Sequence, residues 1–168
     1  MSRHSAREPR KRHTRRQALM DRLQFLGQAS STETALFHQM AAAAYGLGIT
    51  DTKTVSILMQ EGSMSAGQIA RRLCLTTGAV TSLVDRLEKQ NLVIREADPA
   101  DRRRVIVSVN QQAWEARENV YQSMGDAFSA LLATYSTEQL EFLVHYYEAA
   151  IELTKREIVK LSGSVVRG

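Results

Sequence analysis

A chain of 168 residues, 43% apolar and 24% charged, is long enough for one ordinary globular core and too short for two comfortable ones. No apolar run approaches the roughly 18 residues of a spanning helix, Asp21 and Arg22 interrupt the place where a secretory signal would need an unbroken apolar stretch, and Cys74, the single cysteine, rules out an internal disulfide or a Cys-rich zinc site. A reducing, cytoplasmic setting with no membrane contact is therefore expected.

The net charge of +4 is unevenly spread. Residues 1–16 carry seven basic side chains and one acidic, residues 17–62 two and four, residues 63–109 eight and five, and the remainder five and eight. Two basic segments on an otherwise slightly acidic body point to a polyanionic partner met along one face.

Residues 1–16 are nearly devoid of apolar side chains and contain Pro9, so a mobile basic arm is expected there. From Gln17 the pattern turns helical: Leu19, Leu23 and Leu26, then Leu36, Phe37, Met40, Ala41 and Ala44, ending at Gly46 and Gly48. Ser30 and Glu33 could form a capping box, which leaves one bent helix or two helices open. Thr50 is expected to cap a second helix carrying Val55, Leu58 and Met59, closed by Gly62. Ser65 with Gln68 opens a short helix, and Thr76 caps a third, in which Val80, Leu83, Val84 and Leu87 line one face.

After Asn91 the apolar period shortens to two, through Val93 and Val105, Val107 and Val109, which predicts a hairpin. Its loop, from Asp98-Pro99 to Arg104, opens with turn-forming residues. Asn110 is expected to cap one helix of about 25 residues. Trp114, Tyr121, Phe128 and Tyr135 recur along it at every seventh position, as a packing seam does. Ser136 and Gln139 then cap a final apolar helix. The expected fold class is mainly α with a small β-hairpin wing: a winged helix-turn-helix with a helical region on either side of it.

The predicted helix 77–90 turns Gly78, Thr81, Ser82, Asp85, Arg86 and Lys89 outward, and none of these is large and apolar. A helix entering the major groove of DNA needs that division, and its first free amides can bind phosphate. Arg102, Arg103 and Arg104 cluster at the hairpin loop, and arginines favour narrow, electronegative minor grooves. Asp101 is expected to orient one of them and leave another free.

Two stretches, LTTGAVTSLVDRLEK at 75–89 and DPADRR at 98–103, make the order of parts resemble the MarR family of bacterial transcriptional regulators over about residues 17–161. The resemblance implies a sequence-specific regulator, with a repressor relieved by a small aromatic or phenolic effector as the expected form. It also implies a homodimer formed by helices of 17–48 and 110–168, holding two lobes of 49–109 on a pseudo-palindromic double-stranded DNA operator. The implied DNA-contacting set is Ser65, Thr76, Thr77, Gly78, Ala79, Thr81, Ser82, Arg86, Lys89, Arg102, Arg103 and Arg104. An effector pocket is expected at Phe37, His38, Met59 and Trp114. Ser82 stands where the family frequently has arginine, and Val109-Asn110-Gln111-Gln112-Ala113 departs from the usual Leu-Thr-x-x-Gly.

Other readings are a redox sensor acting through Cys74, although a thiol between Leu73 and Leu75 at a helix end is ordinarily buried and inert, and a winged-helix protein-interaction module. No phosphate-binding loop, HExxH or nucleophile elbow occurs, and the four histidines lack metal-type spacing. No enzymatic activity and no cofactor are expected.

Overall fold

A computed structural model describes residues 14–165, so most of the expected basic arm lies outside the described residues. In chain order the elements are α1 (Arg15–Ala44), α2 (Ile49–Glu61), β1 (Met64–Ser65), α3 (Ala66–Leu73), α4 (Thr77–Lys89), β2 (Val93–Ala97), β3 (Val105–Val109), α5 (Gln111–Glu115), α6 (Gln122–Leu132) and α7 (Thr137–Val165). The chain forms two compact units, Met1–Ala41 and Ala42–Gly168. None of the described helices is long and apolar enough to cross a membrane.

The first unit holds most of α1, which is continuous through Gly27 and Ser30. Thr32 donates its hydroxyl to the Gln28 carbonyl at 3.1 Å, so a side chain that could compete with the helix is satisfied inside it. Leu23, Phe25, Leu36 and Met40 are all exposed along this helix.

The second unit is built around the winged helix-turn-helix. Gly46, at φ 67°, ends α1, with the Leu47 amide reaching back to the Ala42 carbonyl at 2.9 Å. The cap of α2 is Gly48 rather than the expected Thr50, and the Gly48 amide donates to Asp51 Oδ2 at 3.0 Å. Helix α2 starts earlier because a carboxylate three residues into it can reach back to that amide, leaving Thr50 inside the first turn.

The capping residues of α3 and α4 are those the sequence indicates. Ser65 accepts from the Gln68 amide while Gln68 Oε1 accepts from the Ser65 amide at 2.8 Å. Thr76 Oγ1 accepts from the Ala79 amide at 3.3 Å. Val80, Leu83, Val84 and Leu87 of α4 are fully buried, together with Val55, Ile69, Leu92, Val93 and Val107. Burying each such side chain contributes about 1.5–3 kcal/mol, and this shared core sets the mutual placement of α2, α3, α4 and the sheet.

The sheet is antiparallel in the order β1-β3-β2. Arg95 pairs with Val107 and Ala97 with Val105 in the expected hairpin, while the two-residue β1 adds Met64 opposite Val107. Strand β1 is an element that no periodicity announces, since two residues carry no period.

The single helix expected after Asn110 is instead two. Asn110 does cap α5, accepting from the Ala113 amide at 3.2 Å, but the helix stops at Glu115. Arg117 turns back to donate to the Tyr45 carbonyl at 3.0 Å, and the Val120 amide donates to the Tyr45 hydroxyl at 3.3 Å. Asn119 accepts from the Tyr121 amide at 3.1 Å, a local turn that competes with helix. The seven-residue aromatic stripe is split accordingly. Trp114 and Tyr121 flank Tyr45, at ring separations of 5.1 and 6.2 Å, whereas Phe128 and Tyr135 are exposed. Burial, and secondarily Tyr45, raises the pKa of Tyr121.

Cys74 also departs from expectation, being exposed. It closes α3 in the left-handed conformation, φ 54°, so that Leu73 and Leu75 on either side turn toward the core instead. A side chain in that conformation is strained by roughly 1–2 kcal/mol, partly offset by the greater unfolded-state freedom of glycine. Cys74→Gly is therefore expected to stabilise the chain by about 0.5–1 kcal/mol, read as a rise of about 1–3 °C in thermal midpoint.

Candidate nucleic-acid interface

Helix α4 has two faces of opposite character. Beneath lies the apolar core; outward, Thr77, Gly78, Ala79, Thr81 and Ser82 are exposed in its first turns, and Lys89 in its last. Thr76 orients this end by its cap, and the amides of Thr77 and Gly78 precede the first intrahelical bond. The Thr81 hydroxyl donates to the Thr77 carbonyl at 3.0 Å. Ser65, expected in the same set, is half-buried, its hydroxyl engaged by Gln68 at 2.9 Å and its backbone paired with Ile106.

The longer side chains of α4 are tied to other elements. Arg86 donates through Nε to Asp51 Oδ1 and Oδ2, at 3.2 and 3.1 Å, and through Nη2 to Oδ1 at 2.5 Å. The Asp51 side chain is 4% exposed and that of Arg86 50%, so a buried carboxylate holds the base of a guanidinium whose outer part reaches solvent. The hydrogen bonds Arg86 donates to Asp51 raise its pKa above the ordinary value. Arg95 on β2 bridges back to α4, donating through Nη2 to Asp85 at 2.5 Å and through Nη1 to Glu88. The Asp85 hydrogen bond is the leading cause of the raised Arg95 pKa. Asp85, read from the sequence as an outward group, is thus turned to the wing.

Sequence reasoning missed both Asp51 and Arg95. The signal for Arg95 was present in the pair Asp85 and Glu88, three residues apart on one helical face and so both within reach of a single guanidinium. For Asp51 the only clue was its position three residues after Gly48.

Within the wing the aspartates serve the backbone rather than the arginines. Asp98 Oδ1 accepts from the Ala100 amide at 2.9 Å, and Asp101 Oδ1 from the Arg103 amide at 3.1 Å. Main-chain bonds from Asp98 to the Arg104 carbonyl and from Arg104 to the Asp101 carbonyl close the loop. Asp101 was expected to pair with a guanidinium; its Oδ1 accepts from the Arg103 amide of the turn instead. Arg102, Arg103 and Arg104 are exposed, and no carboxylate among the described residues pairs with them. The expected pocket residues are placed in separate units. Phe37 and His38 lie on α1 with ring centroids 6.0 Å apart, while Met59 is exposed on α2 and Trp114 packs against Tyr45.

A family model described as "MarR family" matches residues 47–105, which span the helix-turn-helix and the wing through Val105. An uncharacterized HTH-type transcriptional regulator, YcgE of Bacillus subtilis, is 38% identical over 130 residues, 77% of this chain and 84% of that protein. The chain belongs to the MarR family. It is a winged helix-turn-helix transcriptional regulator. It is also 25% identical over 101 residues to the homoprotocatechuate degradative operon repressor of Escherichia coli, covering 60% of this chain and 68% of that one. Among solved structures, a mutant S. aureus MepR bound to an oligodeoxyribonucleotide shares the fold, with a TM-score of 0.53 at 18% identity, over 79% of this chain and 97% of that chain.

Asp51→Ala removes both the acceptor of the Gly48 amide and the partner of Arg86. With a cap contributing about 1 kcal/mol and a charge-assisted bond discounted for the half-exposed arginine, the loss should be about 2 kcal/mol. Urea titration should show a lowered midpoint with an unchanged slope, and Asp51→Asn, which keeps an acceptor for the amide, should fall between.

Proposed function

We propose that this MarR-family regulator binds a pseudo-palindromic duplex as a homodimer, with α4 in the major groove and Arg102, Arg103 and Arg104 in the adjacent minor groove. In this reading residues 49–109 are the DNA-binding lobe, and residues 17–48 and 110–168 form the helical dimerisation region. The basic arm 1–16 adds phosphate contacts. The observation that carries it is the wing, where three exposed guanidinium groups have no carboxylate partner among the described residues, on a lobe whose α4 presents only small side chains at its start. The Arg95 bridge to Asp85 and Glu88 supports it by fixing the wing strand to α4.

Dimerisation is supported by the apolar side chains left exposed on the helices outside the lobe. Phe142, Tyr147 and Leu161 of α7 are 69%, 61% and 66% exposed, and Phe128 and Leu131 of α6 are also exposed. Such an accumulation on one chain is the mark of a surface that another chain covers. Both recognition helices can dock only when their spacing matches about one turn of DNA, roughly 34 Å. A small aromatic or phenolic effector that favours another spacing then lowers operator affinity and relieves repression.

Fluorescence anisotropy on a duplex selected from a random library tests this reading. The Arg102→Ala/Arg103→Ala double variant should lose at least tenfold in affinity, and the slope of log affinity against log salt should shrink by up to about 2. Unchanged affinity would remove the wing from the interface. Sedimentation of the wild-type chain should give a dimer, and a monomer at the binding concentration would overturn the assembly.

A further inference from the structure

The outward face of α4 also bears on which bases it can read. In the major groove, guanine is recognised chiefly by a guanidinium or ammonium donating to O6 and N7, whereas thymine offers a C5-methyl group for apolar contact. The base-reading end of a recognition helix is its N-terminal part. There α4 presents Thr77, Gly78, Ala79, Thr81 and Ser82, all exposed and none long enough to carry a guanine-reading cation. The Thr81 hydroxyl is engaged with the Thr77 carbonyl, which leaves its methyl group as the outward part.

The cations of α4 and of the strand tied to it are committed or distant. Arg86 lies nine residues beyond Thr77, about 14 Å along the axis, and its Nε and Nη2 are held by the buried Asp51. Arg95 is engaged by Asp85 and Glu88. Lys89 stands in the last turn, further still from the start of the helix.

We infer that α4 selects its half-site through thymine C5-methyl groups, met by the methyls of Thr77 and Thr81, one helical turn apart, rather than through guanine O6 and N7. The inference rests on the proposed placement of α4 in the major groove. Ser82 can accept or donate one bond to either base and so adds position without choosing guanine.

The test uses the full wild-type chain and its selected duplex, with two chemical changes confined to the major groove so that minor-groove contacts of the wing are untouched. In one duplex every dT of the half-sites is replaced by dU, which deletes only the C5-methyl. In the other every dG is replaced by 7-deaza-dG, which deletes the N7 acceptor. Loss of one buried methyl corresponds to about three- to fourfold in affinity, and a bidentate guanine contact is worth about five- to 150-fold in all, of which 7-deaza-dG removes the N7 half. The expected result is a loss of threefold or more with dU and of less than threefold with 7-deaza-dG. Tight binding to the selected duplex combined with a smaller dU effect, or with a loss of threefold or more on 7-deaza-dG, overturns methyl readout alone. Binding to the selected duplex no tighter than to random DNA overturns the proposed placement of α4 and the inference with it.

Discussion

The Asp51 carboxylate is the point on which the lobe's geometry turns. It is buried at the start of α2, accepts from the Gly48 amide, and grips Arg86 from α4, so one side chain caps one helix and anchors another 35 positions along the chain. Apolar packing of Val80, Leu83, Val84 and Leu87 presses α4 onto the core, but such packing is non-directional and tolerates small sliding and rotation. A carboxylate meeting a guanidinium through several aligned bonds does not. Removing either partner would leave the other with unmet hydrogen-bonding capacity, most costly for the buried carboxylate.

A second ionic contact extends that frame to the wing. Arg95 leaves β2 beside Val107 in the sheet register and meets Asp85 and Glu88, so the hairpin and α4 share an electrostatic tie as well as a core. The same tie offsets one of two negative charges on a helix whose proposed partner is a polyanion. Left unpaired, Asp85 and Glu88 would oppose phosphate approach with two negative charges; with Arg95 between them the group carries about one, which weakens that opposition. Structural and electrostatic needs are met by one residue, which explains why a cation on this strand is directed inward toward α4 while the three at the loop are left outward.

Features written into short sequence windows were legible. The caps at Ser65, Thr76, Asn110 and Ser136 follow from a side chain meeting an amide three residues on, and the helical face of α4 and the alternation of β3 follow from period. What escaped depended on distant partners. The division of the region after Asn110 into α5 and α6 is governed by Tyr45, more than 70 positions earlier, whose carbonyl and hydroxyl hold Arg117 and the Val120 amide. Strand β1 exists because β3 offers it a free edge. Asp51 lies in the first turn of α2, and nothing nearby in sequence indicates Arg86. In the candidate site, the small residues of α4 and the wing arginines were readable from sequence, but which cations were already engaged was not.

The wing shows why composition alone misjudges which charges pair. Asp98 and Asp101 lie within a few residues of Arg102, Arg103 and Arg104, and a count of charges there suggests near-neutralisation. In the fold the two carboxylates accept from the Ala100 and Arg103 amides, because a tight loop brings main-chain donors closer than flexible guanidinium groups can come without loss of rotamer freedom. The acids thereby stiffen the loop that carries the bases. An Asp-Pro-x-Asp-Arg-Arg sequence is then a device for holding several cations at one projecting turn: proline fixes the first bend, the aspartates satisfy the amides, and the arginines are left to the solvent side.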